Sequence, residues 1–307
     1  MEQTARQPQR VIVAVKWGPL DGRKVVISPG EVICVGRSER AGLVVPHDAL
    51  MSAAHFEVSW DGVECRFRDL KSATGTLLNG EAGVSAGVVA NGDWLKAGET
   101  VFTVHLEGAT PAREAEDDEE GEKSEGEVEL ADQSAHAEAR TAGEAAEKAL
   151  LVLRGEVEQE PLYAVLDGAR DKRIRELLRE SVEEHRTLYD GVQGEALGEV
   201  APYLVRLPPG SRLLEALVRE GWGRRWGIFL TSRQPFREVR RHLRRFLMVE
   251  DETGETLYFR YYDPWVLQRF LPTCTALQKD EFAKNILTFF AEAEDVGMLR
   301  LGQLQQR

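Results

Sequence analysis

Cysteine is scarce in this chain: three residues, Cys34, Cys65 and Cys274, in a sequence of 307. An odd number cannot pair fully and no two stand in C-x-x-C spacing, so neither a disulfide framework nor a zinc site is expected. The six histidines, His47, His55, His105, His136, His185 and His242, form no metal-ligand spacing either. No Gly-rich phosphate loop is present, and no cofactor is expected. No apolar run approaches the ~18 residues of a membrane span. The start, Met1 to Arg10, is polar and lacks the apolar core of a secretory signal. A basic excess is missing too: 39 Lys and Arg face 52 Asp and Glu, a formal net charge of −13. Nucleic acids and anionic membranes are held by cationic footprints, so neither is an expected partner. A reducing, cytoplasmic location is the natural expectation.

What is present suffices for about two domains at roughly 100–200 residues each. The chain is 42% hydrophobic and 30% charged. The acidity is concentrated: residues 1–110 carry net −2, residues 111–150 net −10, and residues 151–307 net −1. Three regions follow: a first domain over 1–108, an acidic linker over 109–155, and a second domain over 156–307.

The first region reads as short strands punctuated by turns. Val11 to Val15, Lys24 to Ile27 and Glu31 to Val35 are β-branched runs separated by Asp21-Gly22 and Pro29-Gly30. Asp61-Gly62, between His55–Trp60 and Val63–Phe67, predicts a two-residue hairpin, and Asn79-Gly80 and Asn91-Gly92 repeat the punctuation. An all-β sandwich is expected. The linker contains Glu116-Asp117-Asp118-Glu119-Glu120 and has no aromatics, which predicts a disordered, self-repelling tether. Its Ala/Glu-rich end, Ala135 to Leu150, has transient helical character.

Beyond it, strands alternate with helices, which predicts an α/β domain. Leu162 to Leu166, Tyr203 to Leu207 and Trp226 to Leu230 are the strands. Ile174, Leu177, Leu178 and Val182 mark a helix, and Ser211 caps another that ends at Gly221. Ser232 is the expected cap of a helix running to about Leu247, with Pro235 in its first turn.

Four motifs of the first region occur in a telling order. They are Gly36-Arg37-Ser38; Ser52-Ala53-Ala54-His55; Asp69 through Thr74-Gly75-Thr76 to Asn79-Gly80; and Asn91-Gly92-Asp93. Over residues 10–107 they resemble the forkhead-associated (FHA) domain, a β-sandwich whose loops bind phosphothreonine peptides. The resemblance implies a phosphopeptide site of Arg37, Ser52, Thr74 and Asn79, with Gly36, His55 and Gly75 supporting the loops. Arg37 offers a charge-assisted fork and Ser52 a hydroxyl donor. The chain departs from the family pattern at Ala73, which cannot donate to phosphate, and at Thr74, which replaces an Asn that holds peptide backbone. A sandwich kept as an interaction or dimerisation module is the plainer alternative. Gly83-Val84-Ser85-Ala86-Gly87 spells a nucleophile elbow, but Val88, Val89 and Asn91-Gly92 follow instead of a helix, so no catalytic residue is expected.

Six further motifs lie in order between residues 160 and 285: Leu162 to Ala169, Leu188 to Gly191, Ala201 to Val205, Gly227 to Ser232, Arg241 to Phe246 and Tyr258 to Pro264. They resemble the effector-adaptor (effector-chaperone) domain of bacterial type VI secretion systems, catalogued as a domain of unknown function. The resemblance implies a non-enzymatic protein that loads a type VI effector onto the VgrG spike. The second reading is a phospho-signalling scaffold unrelated to secretion. Arg237, Arg240, Arg241, Arg244 and Arg245 share one arc of a helix. They are either its solvated face or a docking face for an acidic partner. Asp263 reads as a helix N-cap and Asp167-Gly168 as a strand-end turn.

Overall fold

A computed structural model describes residues 9–16, 20, 22–111, 125–189, 200–250, 256–293, 295 and 297–302. It divides into two compact units, residues 1–111 with 179–182, and residues 112–178 with 183–307.

The first unit is a sandwich of two five-stranded sheets. Its strands are β1 (Val11–Val15), β2 (Lys24–Ile27), β3 (Val32–Gly36), β4 (Leu43–Val44), β5 (Phe56–Trp60), β6 (Cys65–Asp69), β7 (Thr76–Leu78), β8 (Ala86–Val89), β9 (Trp94–Ala97) and β10 (Thr100–Leu106). One sheet has the order β2-β1-β10-β9-β7 and the other β4-β3-β5-β6-β8. Alternation sets the core: Phe56, Val58 and Trp60 of β5, Cys65 and Phe67 of β6, and Phe102 and Val104 of β10 are buried together. The β5–β6 connection is longer than the two residues expected. Trp60 pairs with Cys65, leaving four residues in the loop. The reason is an Asx turn: the Asp61 carboxylate accepts the N–H groups of Val63 and Glu64, each at 2.7 Å.

A buried carboxylate ties the segment before β5 to the β9–β10 turn. Asp48 accepts from the N–H groups of Glu99 (2.8 Å) and Thr100 (2.9 Å) and from the Thr100 hydroxyl (2.7 Å). Burial alone would raise its pKa, but these bonds outweigh it and hold the carboxyl below its ordinary value.

The second unit is built on a six-stranded sheet. Its strands are β11 (Leu162–Asp167), β12 (His185–Thr187), β13 (Pro202–Leu207), β14 (Gly227–Thr231), β17 (Thr288–Glu292) and β18 (Met298–Gly302). The order is β12-β13-β11-β14-β17-β18, antiparallel at each pairing. A separate hairpin pairs β15 (Met248–Glu250) with β16 (Thr256–Tyr258). β11 is buried at all six positions because both faces of the sheet are covered. Leu162, Ala164 and Leu166 face one core, which takes in helices α1 (Glu125–Val157), α2 (Lys172–Arg179) and α3 (Arg212–Gly221). Tyr163 and Val165 face the other, which takes in α4 (Phe236–Arg244), α5 (Pro264–Thr273) and α6 (Ala276–Phe282).

Three further expectations need correcting. The helix marked by Ile174, Leu177, Leu178 and Val182 stops at Arg179, short of Val182. The tether expected over 109–155 does not extend that far. Its acidic block Glu116–Glu120 lies outside the described residues, but Glu125–Val157 is one helix, and Ala146, Ala149, Leu150, Leu153 and Val157 of it are buried in the first core. Arg219 of α3 reaches back to Glu147 at 2.7 Å. Ser232 does not cap α4. Pro235 occupies the N-cap position, while the Ser232 hydroxyl donates to the Asn285 carbonyl at 2.7 Å. Asp190-Gly191 also falls outside the described residues.

Leu153 is fully buried. Leu153→Ala is expected to destabilise the second unit by about 2–5 kcal/mol, the range for a truncated core leucine. Urea denaturation of the full chain, followed by tryptophan fluorescence, measures it; a change below about 0.5 kcal/mol would mean that α1 does not belong to the core.

Candidate functional site

Strand pairing brings three loops of the sandwich to one place. β3 runs antiparallel to β5, so the end of β3 lies beside the start of β5, with Val35 opposite Phe56. β5 runs antiparallel to β6, so Phe56 in turn faces Asp69 at the end of β6. The loops after β3, before β5 and after β6 therefore meet. Backbone bonds join the first two, from Arg37 N–H to Ser52 carbonyl at 3.0 Å and from Ser38 N–H to Ala53 carbonyl at 3.1 Å. The approach is so close that a Cβ on Gly36 would sit 2.3 Å from the Ala53 carbonyl oxygen. Only glycine fits there.

His55 links the second and third loops. Its Nδ1 accepts the Ser52 N–H at 3.0 Å, so the ring proton sits on Nε2, which donates to the Gly75 carbonyl at 3.0 Å. The ring is fully buried. Gly75 has φ +75°, in the left-handed region that favours glycine. The Ser52 hydroxyl oxygen accepts the Ala73 N–H at 3.0 Å. That leaves the Ser52 proton directed elsewhere, with no acceptor among the described residues. Thr74 donates its hydroxyl to the Leu50 carbonyl at 3.4 Å.

The third loop is shaped by a residue that sequence reasoning passed over. Asp69 accepts from the Ser72 N–H (3.0 Å), the Ser72 hydroxyl (2.6 Å) and the Thr76 hydroxyl (2.8 Å). Burial would raise its pKa, but the Ser72 and Thr76 bonds outweigh that and hold it below the usual value. An Asp three residues before a Ser was the available signal.

Arg37 is exposed, and among the described residues its guanidinium meets no carboxylate and makes no hydrogen bond. Arg37, Ser52, Ala73, Thr74 and Gly75 thus share one connected set of loops. Asn79 does not join it. Its amide donates to Asp93 at 2.8 Å and accepts from the Trp94 N–H at 2.9 Å, and with φ 51° it shapes the turn after β7. Ser85 precedes strand β8, not a helix, and lacks the elbow geometry.

In the second unit the five arginines of α4 do not form one free face. Arg240 donates to the carbonyls of Thr187 (2.7 Å) and Tyr189 (2.9 Å), and Arg244 to that of Leu188 (2.9 Å). Both close the carbonyls at the end of β12 and are half-buried. Arg241 pairs with Glu238, and Arg245 with Glu281 at 2.9 Å. Arg237 is exposed and has no carboxylate among the described residues. Asp263 caps α5 through the Trp265 N–H at 3.0 Å and also holds Arg170 at 2.7 Å and Arg225 at 2.5 Å. Asp167, buried at the end of β11, pairs with Arg260. Among the described residues no group of His, Cys, Asp and Glu could hold a metal ion, and no helix is long and apolar enough to cross a membrane.

Three bonded loops at one end of a β-sandwich, with an exposed arginine on one of them, are the geometry this unit presents. Residues 33–98 match the FHA domain, and residues 162–281 match a domain of unknown function, DUF4123. The chain carries the two in that order. The FHA domain-containing protein At4g14490 of Arabidopsis thaliana is 36% identical over 97 residues, 30% of this chain. That match spans 24% of the relative's own length. Among solved structures, an FHA domain studied for phosphothreonine-dependent interactions is 30% identical and covers 31% of this chain and 95% of that one, at a TM-score of 0.29. The FHA domain of an Arabidopsis thaliana hypothetical protein is 27% identical and covers 37% of this chain and 98% of that one, at a TM-score of 0.32.

Hydrogen bonds to charged groups contribute roughly 1.5–3 kcal/mol. Arg240→Ala with Arg244→Ala is therefore expected to lower the unfolding free energy by at least about 4 kcal/mol, because the carbonyls of Thr187, Leu188 and Tyr189 lose their donors. Arg237→Ala should change it by less than about 0.5 kcal/mol. Equal effects in chemical denaturation would remove the distinction between the two kinds of arginine. The Asp69 loop is expected to loosen in acid. Its folded pKa is lowered, so its stabilisation is complete above the unfolded value near ~3.9 and is lost as pH falls through the folded value. A chemical-shift titration of the Ser72 amide, which donates to Asp69, follows it; a titration midpoint above the ordinary carboxylate value would contradict the assignment.

Proposed function

We propose that this chain is a non-enzymatic adaptor with two protein-binding modules. The FHA domain takes a threonine-phosphorylated segment of a partner. Arg37 forms the charge-assisted fork on the phosphate and Ser52 adds its hydroxyl proton. One observation carries this reading: an exposed guanidinium with no carboxylate among the described residues stands on the same bonded loops as a hydroxyl whose oxygen is already fixed by the Ala73 N–H. Asn79 contributes turn geometry here, its amide held by Asp93 and the Trp94 N–H. Thr74, bonded to Leu50, gives the peptide backbone a weaker hold than an amide would.

The second domain recruits a type VI secretion effector and presents it to the VgrG spike. What supports this is the ordered series of motifs between residues 160 and 285, which falls on the segment matched by DUF4123. The full chain is expected to capture an effector and a spike protein in a pull-down from the cell that makes it. Capture of threonine-phosphorylated proteins alone, with neither effector nor spike, would favour the signalling scaffold instead.

Arg37→Ala is expected to weaken phosphothreonine-peptide binding at least tenfold, since about 1.4 kcal/mol is a factor of ten. The melting temperature should hold, because an exposed side chain contributes little packing. Calorimetry with phosphorylated and plain peptide decides it. Equal affinity for both peptides would make this a phosphate-independent module.

A further inference from the structure

On the outer face of α4 a cleft of about 350 Å³ opens between that helix and the turn before β17. Its rim carries Arg241, Arg245 and Lys284, with Gln234 and Asn285 beside them. Val239 and Ile286, both buried, form an apolar floor. Glu238 is the one carboxylate among the lining residues. His242 adds no charge. Its Nε2 donates to the Phe282 carbonyl at 2.9 Å, and burial holds it below its ordinary pKa.

The cations here differ in kind from Arg240 and Arg244. Arg241 is 73% exposed and its partner Glu238 36%, while Arg245 is 59% exposed and Glu281 58%. Exposed pairs of this sort are worth about 0–1 kcal/mol, so an incoming carboxylate can exchange for either glutamate with little loss. Lys284 is exposed and has no carboxylate partner among the described residues. The side-chain amides of Gln234 and Asn285 make no hydrogen bond there either. Asn285, with φ 66°, is fixed at its own carbonyl by Ser232.

We propose that this cleft docks an acidic segment of a protein partner, two or more carboxylates flanking one apolar side chain. The carboxylate is the anion that both guanidiniums already hold in the folded chain. The apolar floor asks for a side chain between the charges, which a free phosphate or a nucleic-acid backbone does not offer. The inference rests on the second domain being a protein-binding module, but not on secretion.

The test is a synthetic array of twelve-residue peptides, each with a central Leu and zero to six Glu, probed with the full chain. Binding is expected to rise with Glu content and to be at least tenfold weaker for the Gln counterparts. Arg241→Gln with Lys284→Gln should abolish the preference, while Arg237→Gln, on the same helix outside the cleft, should keep it. All three side chains are exposed, and melting curves check that the variants fold. No preference for Glu over Gln, or a preference that survives in the double variant, would overturn the proposal. The two readings fail separately. If effector and spike are captured equally by the double variant, the cleft is not the docking site but the adaptor stands. If the array responds as expected and neither protein is captured, the cleft stands and the adaptor reading falls.

Discussion

A neutral imidazole has one donor nitrogen and one acceptor nitrogen, and the sandwich uses both ends of His55. Ser52 is fixed through its N–H and Gly75 through its carbonyl, so one buried ring sets the spacing between two loops that share no strand. The arrangement of the three loops follows from that spacing. With Ser52 placed, its hydroxyl oxygen catches the Ala73 N–H, and its carbonyl receives the Arg37 N–H. The loops are thus fixed by backbone contacts of their own, and for the ligand proposed above fewer groups would remain to be ordered on binding. Asp69 acts on the same loop from inside, and its three bonds shape the stretch between Ser72 and Thr76.

The second unit obeys a different constraint. A sheet whose central strand is buried on both faces needs a layer of helices on each. Residues 162–307 supply one layer fully, with α4, α5 and α6. The other layer needs α1, because Leu162, Ala164 and Leu166 would otherwise share their face with α2 and α3 alone. That is why an alanine-rich stretch orders. Ala146 and Ala149 let the helix approach closely, and Leu150, Leu153 and Val157 complete the stripe.

The sandwich was legible in the sequence because turn signals and β-branched runs fall at strand spacing, and its loops because the motifs stand in order. The role of Asn79 was not, since an Asn-Gly pair reads alike whether its amide binds a ligand or, as here, Asp93 and Trp94. Helix α1 was misread for a physical reason. Its acidic, aromatic-free composition is that of a soluble tether, and its apolar stripe counts only once a sheet offers a face to cover. The Asp263 cluster shows the same limit. The N-cap was readable from Asp263-Pro264, but Arg170 and Arg225 lie 93 and 38 residues away.

The arginines of α4 sharpen the point. In sequence they are five equal positive charges on one arc. In the fold, neighbouring carbonyls sort them: two meet the carbonyls at the end of β12 and become structural, and two pair with glutamates in solvent. A charge that closes a backbone carbonyl cannot leave without stranding it, which costs roughly 1–3 kcal/mol. A charge in an exposed pair leaves at almost no cost. Only the second group is free to exchange partners, however alike the residues look in the sequence. The cleft proposed for a partner is accordingly the one lined by Arg241, Arg245 and Lys284, on a different side of the helix from Arg240 and Arg244.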